Sequence, residues 1–106
     1  MTSVYVLCLE GGRYYVGSTD SNILSSYEDH VAGKVSSWTQ LYPPKRIVAI
    51  LFQAKEDTVV LDYMAIYGVD MVRGGSYQEI ELSKETKMQL NYEVSRLKPL
   101  QLETPD

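Results

Sequence analysis

Residues 3–19 constrain this chain more than any other stretch: Ser3-Val4-Tyr5-Val6-Leu7-Cys8-Leu9-Glu10-Gly11-Gly12-Arg13-Tyr14-Tyr15-Val16-Gly17-Ser18-Thr19. Two β-prone runs flank a Gly-Gly pair, and adjacent glycines supply the positive φ that tight hairpin loops demand. The chain is therefore expected to open as an antiparallel hairpin. Loop length then decides which side chains share a face, because successive residues alternate and directly paired residues agree. A two-residue Gly11-Gly12 loop pairs Cys8 with Tyr15 and turns Tyr5 away from Tyr15. An odd loop, Gly11-Gly12-Arg13, pairs Leu9 with Tyr15 and gathers Tyr5, Leu7, Leu9 and Tyr15 on one face. Alternation by itself leaves both loops open.

Downstream, a polar turn over 18–22 precedes a helix predicted over 23–32, with Ile23, Tyr27 and Val31 as its apolar stripe, His30 beside it and Gly33 as its stop. A second short helix or turn carries Val35, Trp38 and Leu41, and Tyr42-Pro43-Pro44 ends it. The run from Ile47 to Phe52 is almost wholly apolar and reads as a central strand buried on both faces. A helix is predicted over 58–67, with Asp57 as N-cap and Val59, Val60, Tyr63, Met64 and Tyr67 as core stripe. Arg73-Gly74-Gly75-Ser76 reads as a tight turn whose glycines allow a close backbone approach. Ser83 caps a last helix to about Leu97, its inner face Leu90, Val94 and Leu97, closed by Pro99. Residues 1–99 are thus one α+β domain, a small and mainly antiparallel three-stranded sheet flanked by helices. Residues 100–106 read as a short disordered tail.

These residues carry a resemblance to the GIY-YIG nuclease family, whose two signature tripeptides sit on the paired strands of such a hairpin. Here they are Ser3-Val4-Tyr5, a degenerate version, and Tyr15-Val16-Gly17, a close one. The likeness continues through Ser18-Thr19, His30, Ser37-Trp38-Thr39, Tyr63-Met64 and the Val72-to-Tyr77 segment, covering roughly the first three quarters of the chain. It is similar to small stand-alone members of that family. The resemblance implies hydrolysis of DNA phosphodiesters, with Tyr5 and Tyr15 as site tyrosines of one cleft, which selects the odd Gly11-Gly12-Arg13 loop or a bulge, and His30 sharing or orienting proton transfer. It also implies one divalent cation, Mg²⁺ or Mn²⁺, because a phenol is a poor base near neutrality without a nearby cation.

Two parts of the family pattern are altered. The arginine that the family uses to stabilise the scissile phosphate falls on Ser26, or on Ser25 if counted forward from Gly17, and residues 23–32 hold no Arg or Lys. A serine cannot offer a cationic fork to phosphate, which implies impaired activity. The usual metal-ligand position falls on Leu61, leaving Glu56 or Asp57 as candidate ligands, with capping as the structural alternative for Asp57 and solvated surface for nearby Asp62. Arg73 is the candidate replacement cation, and Lys34, Gly74 and Gly75 are candidate phosphate contacts.

Composition argues against strong nucleic-acid binding. The chain has 106 residues and a formal charge of −4, whereas phosphate-binding domains are usually basic. Residues 1–55 hold five Lys/Arg and four Asp/Glu, residues 56–106 five and ten, so the second half carries the acidity. The basic surface left to DNA is thin: Arg13, Lys34, Lys45, Arg46, Lys55 and Arg73. DNA binding is therefore expected to be weak and salt-sensitive. The acidic half favours a protein partner or a homodimer, and the second reading of the chain is a catalytically silent DNA- or protein-binding module. The single cysteine, Cys8, excludes an intrachain disulfide and reads as a small core residue. No apolar run approaches the ~20 residues of a membrane span, so no membrane partner is expected. The start lacks the basic-then-apolar layout of a secretory signal, and an intracellular setting, cytoplasmic or nuclear, is the expectation.

Overall fold

A computed structural model describes residues 2–97. The hairpin forms: β1 (Ser3–Leu9) pairs antiparallel with β2 (Arg13–Thr19). Its loop is odd, as the tyrosine parity requires, but consists of Glu10-Gly11-Gly12 rather than Gly11-Gly12-Arg13. Leu9 pairs with Arg13 and Leu7 with Tyr15, while Tyr5 faces Gly17. Gly11 and Gly12 take φ of 80° and 75°, the left-handed conformation that glycine adopts without steric cost. The shift of two residues from the expected register preserves the shared face.

Asn22 caps α1 (Ile23–Val31), its side-chain oxygen accepting from the Leu24 and Ser25 amides. The inner stripe of α1 is Ile23, Tyr27 and His30, one step off the expected phase, and Val31 is exposed. Ser36 caps the short α2 (Ser37–Leu41), which buries Trp38 and Thr39. Next come β3 (Pro44–Phe52), α3 (Glu56–Tyr67), a 3₁₀ turn over Val69–Met71, β4 (Val72–Gly74) and α4 (Lys84–Arg96).

The strands lie in the order β3-β1-β2-β4, antiparallel except that β4 runs parallel to β2. The fold is α+β, with a four-stranded mixed sheet rather than the expected three strands. A second correction concerns the centre of the sheet. β3 is an edge strand, and Val48, Ile50 and Phe52 stand exposed on it. β1 is the strand buried on both faces, because it has neighbours on both edges and helices above and below. Side-chain alternation along β1 feeds two cores. Val4 and Val6 join Val16, Val60, Met64, Val72 and Leu90 on the α3–α4 side. Tyr5, Leu7 and Leu9 join Tyr15 and Trp38 on the α1–α2 side, with Ile23, Tyr27, Tyr42 and Ile47 against them.

Asp57 is not the N-cap of α3. Lys55 holds that position without a side-chain bond, and Asp57 lies inside the first turn, where its charge complements the helix dipole. Ser83 does cap α4, accepting from the Thr86 amide. Pro99 and the tail over 100–106 lie outside the described residues. No described helix is long and apolar enough to cross a membrane.

Candidate functional site

The α1–α2 face of the hairpin brings Tyr5, Tyr15 and His30 together. Tyr5 reaches this face because of its parity with Leu7 and Leu9, and its ring lies over the cross-strand residue Gly17. A Cβ at Gly17 would stand 2.6 Å from both Cζ and the hydroxyl of Tyr5. The glycine that ends Tyr15-Val16-Gly17 is therefore the space into which the Tyr5 phenol fits. The Tyr5 hydroxyl meets His30 Nε2 at 3.0 Å, and the Tyr15 ring packs against the imidazole with centroids 4.7 Å apart.

The direction of the proton chain follows from its far end. The Thr39 hydroxyl donates to the Ser36 carbonyl at 3.3 Å, so its oxygen accepts from His30 Nδ1–H at 2.9 Å. That assignment leaves Nε2 as the acceptor for the Tyr5 hydroxyl, and each polar atom of the chain is satisfied. Tyr15 donates to Gln78 Oε1 at 3.2 Å, and Gln78 is itself tied to the Gly75 carbonyl.

All three groups are shielded: Tyr5 is 4% exposed, Tyr15 5% and His30 0%. Burial penalises charged forms. It raises the pKa of the Tyr5 phenol, with the Tyr15, Glu56 and Asp29 charges adding to the effect. It raises Tyr15 too, opposed by the Gln78 hydrogen bond and helped by Glu56. Burial lowers the His30 pKa from 6.5 to about 4, against a smaller upward pull from Asp29. At neutral pH the centre therefore holds two phenols and one neutral imidazole.

Glu56, half-buried at the start of α3, lies close enough for its charge to act on both tyrosines. Asp57 is engaged elsewhere. Its Oδ1 accepts from the Ser76 amide at 2.8 Å and its Oδ2 from the Ser76 hydroxyl at 2.7 Å. A Cβ on Gly75, which has φ of 53°, would collide with Asp57 Oδ1. Gly74 has φ of 137°, approaches the Val16 backbone, and gives its amide to the Tyr77 carbonyl at 2.8 Å. The close approach foreseen at the two glycines is thus to Val16 and to the Asp57 carboxylate.

Arg73 pairs with Tyr15 across the β2–β4 ladder and shares its face, but it is buried, with 2% exposure. Its guanidinium donates to four carbonyls, those of Val69, Val72, Glu79 and Ile80, at 2.7–2.9 Å, and lies 4.6 Å from the Trp38 ring centroid. It staples the segment after β4 to the sheet. Lys34 is exposed beyond α1, away from any described hydrogen bond of the tyrosine centre. Ser26 is half-buried one helical turn before His30, on the same flank of α1. Thr39 and Gln78, which orient His30 and Tyr15, were not among the residues singled out. Thr39 lies within the segment of resemblance, whereas Gln78 has no signal beyond its polarity after the glycine turn.

Among the described residues, no three His, Cys, Asp or Glu side chains are grouped to hold a metal ion. A lone carboxylate such as Glu56 fits a hard cation that keeps most of its water and takes further oxygens from a phosphate. It does not fit an ion that needs a full protein cage. Comparison with known proteins gives no match: no family model, curated protein or solved structure matches this chain.

Proposed function

We propose that this chain is a GIY-YIG nuclease-like domain, resembling metal-dependent endonucleases that hydrolyse DNA phosphodiesters, with activity impaired at the Ser26 position. The observation that carries this reading is the convergence of Tyr5, Tyr15 and His30 on one face, with Tyr5 hydrogen-bonded to His30 Nε2 at 3.0 Å. In the proposed reaction a water attacks phosphorus and passes its proton to the Tyr5 oxygen as the Tyr5 proton moves to His30 Nε2. The bond from phosphorus to one ester oxygen breaks, and that oxygen leaves with the strand end, taking a proton from solvent. Thr39 holds the imidazole in the accepting tautomer. Tyr15, its hydroxyl donating to Gln78, closes the other side of the imidazole. Glu56 would hold Mg²⁺ or Mn²⁺, which when bound supplies Lewis-acid stabilisation of the phosphate.

Two features weaken this chemistry. A histidine with a pKa of about 4 is a feeble proton acceptor near neutrality. Ser26 also leaves the phosphate without the cation the resemblance calls for; a lost transition-state donor of this kind costs roughly 3–4 kcal/mol, a factor of 10²–10³ in rate.

The near-complete burial of all three groups favours a second reading, a catalytically silent relative that binds DNA or a protein partner. Plasmid and branched-DNA cleavage with Mg²⁺ or Mn²⁺ separates the two. Slow, metal-dependent cutting that disappears in Tyr5→Phe supports the nuclease reading. Absence of cutting in the natural protein and in Ser26→Arg leaves the binding module.

A further inference from the structure

Arg13 stands two residues before Tyr15 on β2, so both side chains project from the same face, about 7 Å apart along the strand. There the surface opens into a cleft of about 240 Å³, walled by Arg13, Tyr42, Trp38, Arg73 and Lys87. The Arg13 guanidinium lies on the Tyr42 ring, its Cζ 4.0 Å from the centroid, and Nη1 donates to the Gly11 carbonyl at 3.2 Å. Its Nε is buried, and among the described residues it is the one such side-chain nitrogen or oxygen without a hydrogen-bond partner. A cation held flat and partly desolvated in this way is fixed before any ligand arrives. The donors of Nη2 and one on Nη1 are left to meet that ligand.

The charges around the cleft favour an anion. Arg13, Arg73 and Lys87 face two carboxylates, Asp70 and Glu81. Asp70 and Lys87 pair with each other at 3.1 Å, which leaves Arg13 and Arg73 against a solvent-exposed Glu81. Arg73 has given four N–H groups to carbonyls, so it contributes charge and a single remaining donor. The cleft is smaller than the ~300–1,000 Å³ typical of sites for drug-sized ligands, and it suits a group of phosphate size.

We propose that this cleft is a subsite for a backbone phosphodiester of a nucleic-acid strand, with Arg13 as its principal contact. The proposal rests on the nuclease-like reading of the adjacent tyrosine face. Arg13 and Tyr15 lie two residues apart on one face of β2, so the cleft adjoins the tyrosine face. Arg13 is then a substrate-positioning cation at a different place from the missing arginine at Ser26.

The test is fluorescence anisotropy of a labelled duplex oligonucleotide over a salt series. It compares the natural protein with Arg13→Ala, Arg13→Lys and, as a charge control, Arg96→Ala on α4, with thermal unfolding to confirm folding. Arg13→Ala is expected to weaken binding about tenfold and to reduce the slope of log K against log salt by about 0.9, the loss of one phosphate contact. Arg13→Lys retains the slope, and Arg96→Ala changes neither quantity. Equal losses at Arg13 and Arg96, or none at Arg13, overturn the proposal. In parallel, inorganic phosphate is titrated while the Arg13 Nε–H resonance is followed. A phosphate-dependent shift combined with unchanged duplex affinity in Arg13→Ala would mean a site for free phosphate, and the strand assignment would fall. Displacement of the duplex by poly-glutamate at equal charge would likewise overturn it in favour of an acidic peptide. Cleavage assays on the same samples keep the two readings apart. Arg13-dependent binding without cleavage retains the subsite and removes the hydrolysis, whereas cleavage with Arg13-independent binding does the reverse.

Discussion

Acidification should destabilise this fold through His30, and the size of the effect follows from its surroundings. His30 is fully buried, donates through Nδ1 to Thr39 and accepts at Nε2 from Tyr5. Burial penalises the charged imidazolium and depresses the folded-state pKa to about 4, from 6.5 in the unfolded chain, against a smaller upward pull from Asp29. The unfolded state binds more protons between these values, so stability is full above pH 6.5 and falls as the pH drops. Each unit within the window is worth at most ~1.4 kcal/mol, so lowering the pH from 7 to 5 should cost about 2 kcal/mol through this one residue. With a urea m-value of roughly 2 kcal/mol per molar, the unfolding midpoint should fall by about 1 M. His30→Gln keeps a neutral polar group at the site, starts from lower stability and should lack this share of the pH dependence. Subtracting its midpoint change from that of the natural protein removes the contribution of carboxylates common to both. Equal midpoint shifts in the two proteins, or an imidazole that titrates near 6.5 by NMR, would show that burial in this core does not hold the histidine neutral.

Other substitutions probe the neighbouring contacts. Gly17→Ala drives a Cβ into the Tyr5 phenol and should cost about 1–3 kcal/mol in urea unfolding, with a rise in the His30 pKa as its hydrogen-bonded partner is displaced. Arg73→Met strips donors from four carbonyls and should cost roughly 3 kcal/mol or more, while Arg73→Lys, with three donors, should recover only part of the loss. Mn²⁺ should broaden Tyr5 and Tyr15 NMR resonances in the natural protein and in Asp57→Asn but not in Glu56→Gln, because Asp57 is engaged with Ser76. Broadening that depends on Asp57 instead would reassign the metal-binding carboxylate.

Local chemistry was legible in the sequence, and long-range order was not. Alternation tied the loop length to the faces of Tyr5 and Tyr15, the resemblance chose the odd loop that brings both to one face, and Ser83 marked a helix start through its side chain. Strand order depends on partners distant in sequence. An apolar run such as Ile47–Phe52 looks the same whether one edge or both are paired, so it reads as central although β3 lies at the edge. The three residues of β4 are too few to show a period of two. Arg73 carried no sign of burial, because its stability comes from carbonyls gathered by a loop that folds back over it. The same holds for Asp57, whose partner Ser76 is 19 residues away. Arg13 was legible only as a charge, since its importance lies in the Tyr42 ring beneath it and the unpartnered Nε.

The measurement to make first is single-turnover cleavage of a labelled branched DNA with Mn²⁺, comparing the natural protein with Ser26→Arg. Ser26 sits one turn before His30 on α1, so an arginine there would reach the face that holds Tyr5 and Tyr15. A nuclease scaffold lacking only its phosphate cation should gain 10²–10³-fold in rate, and the gain should vanish on adding Tyr5→Phe. A Ser26→Arg protein that folds, binds the DNA and still cuts no faster than the natural one would contradict the assignment of this tyrosine face as a phosphodiester-hydrolysing site.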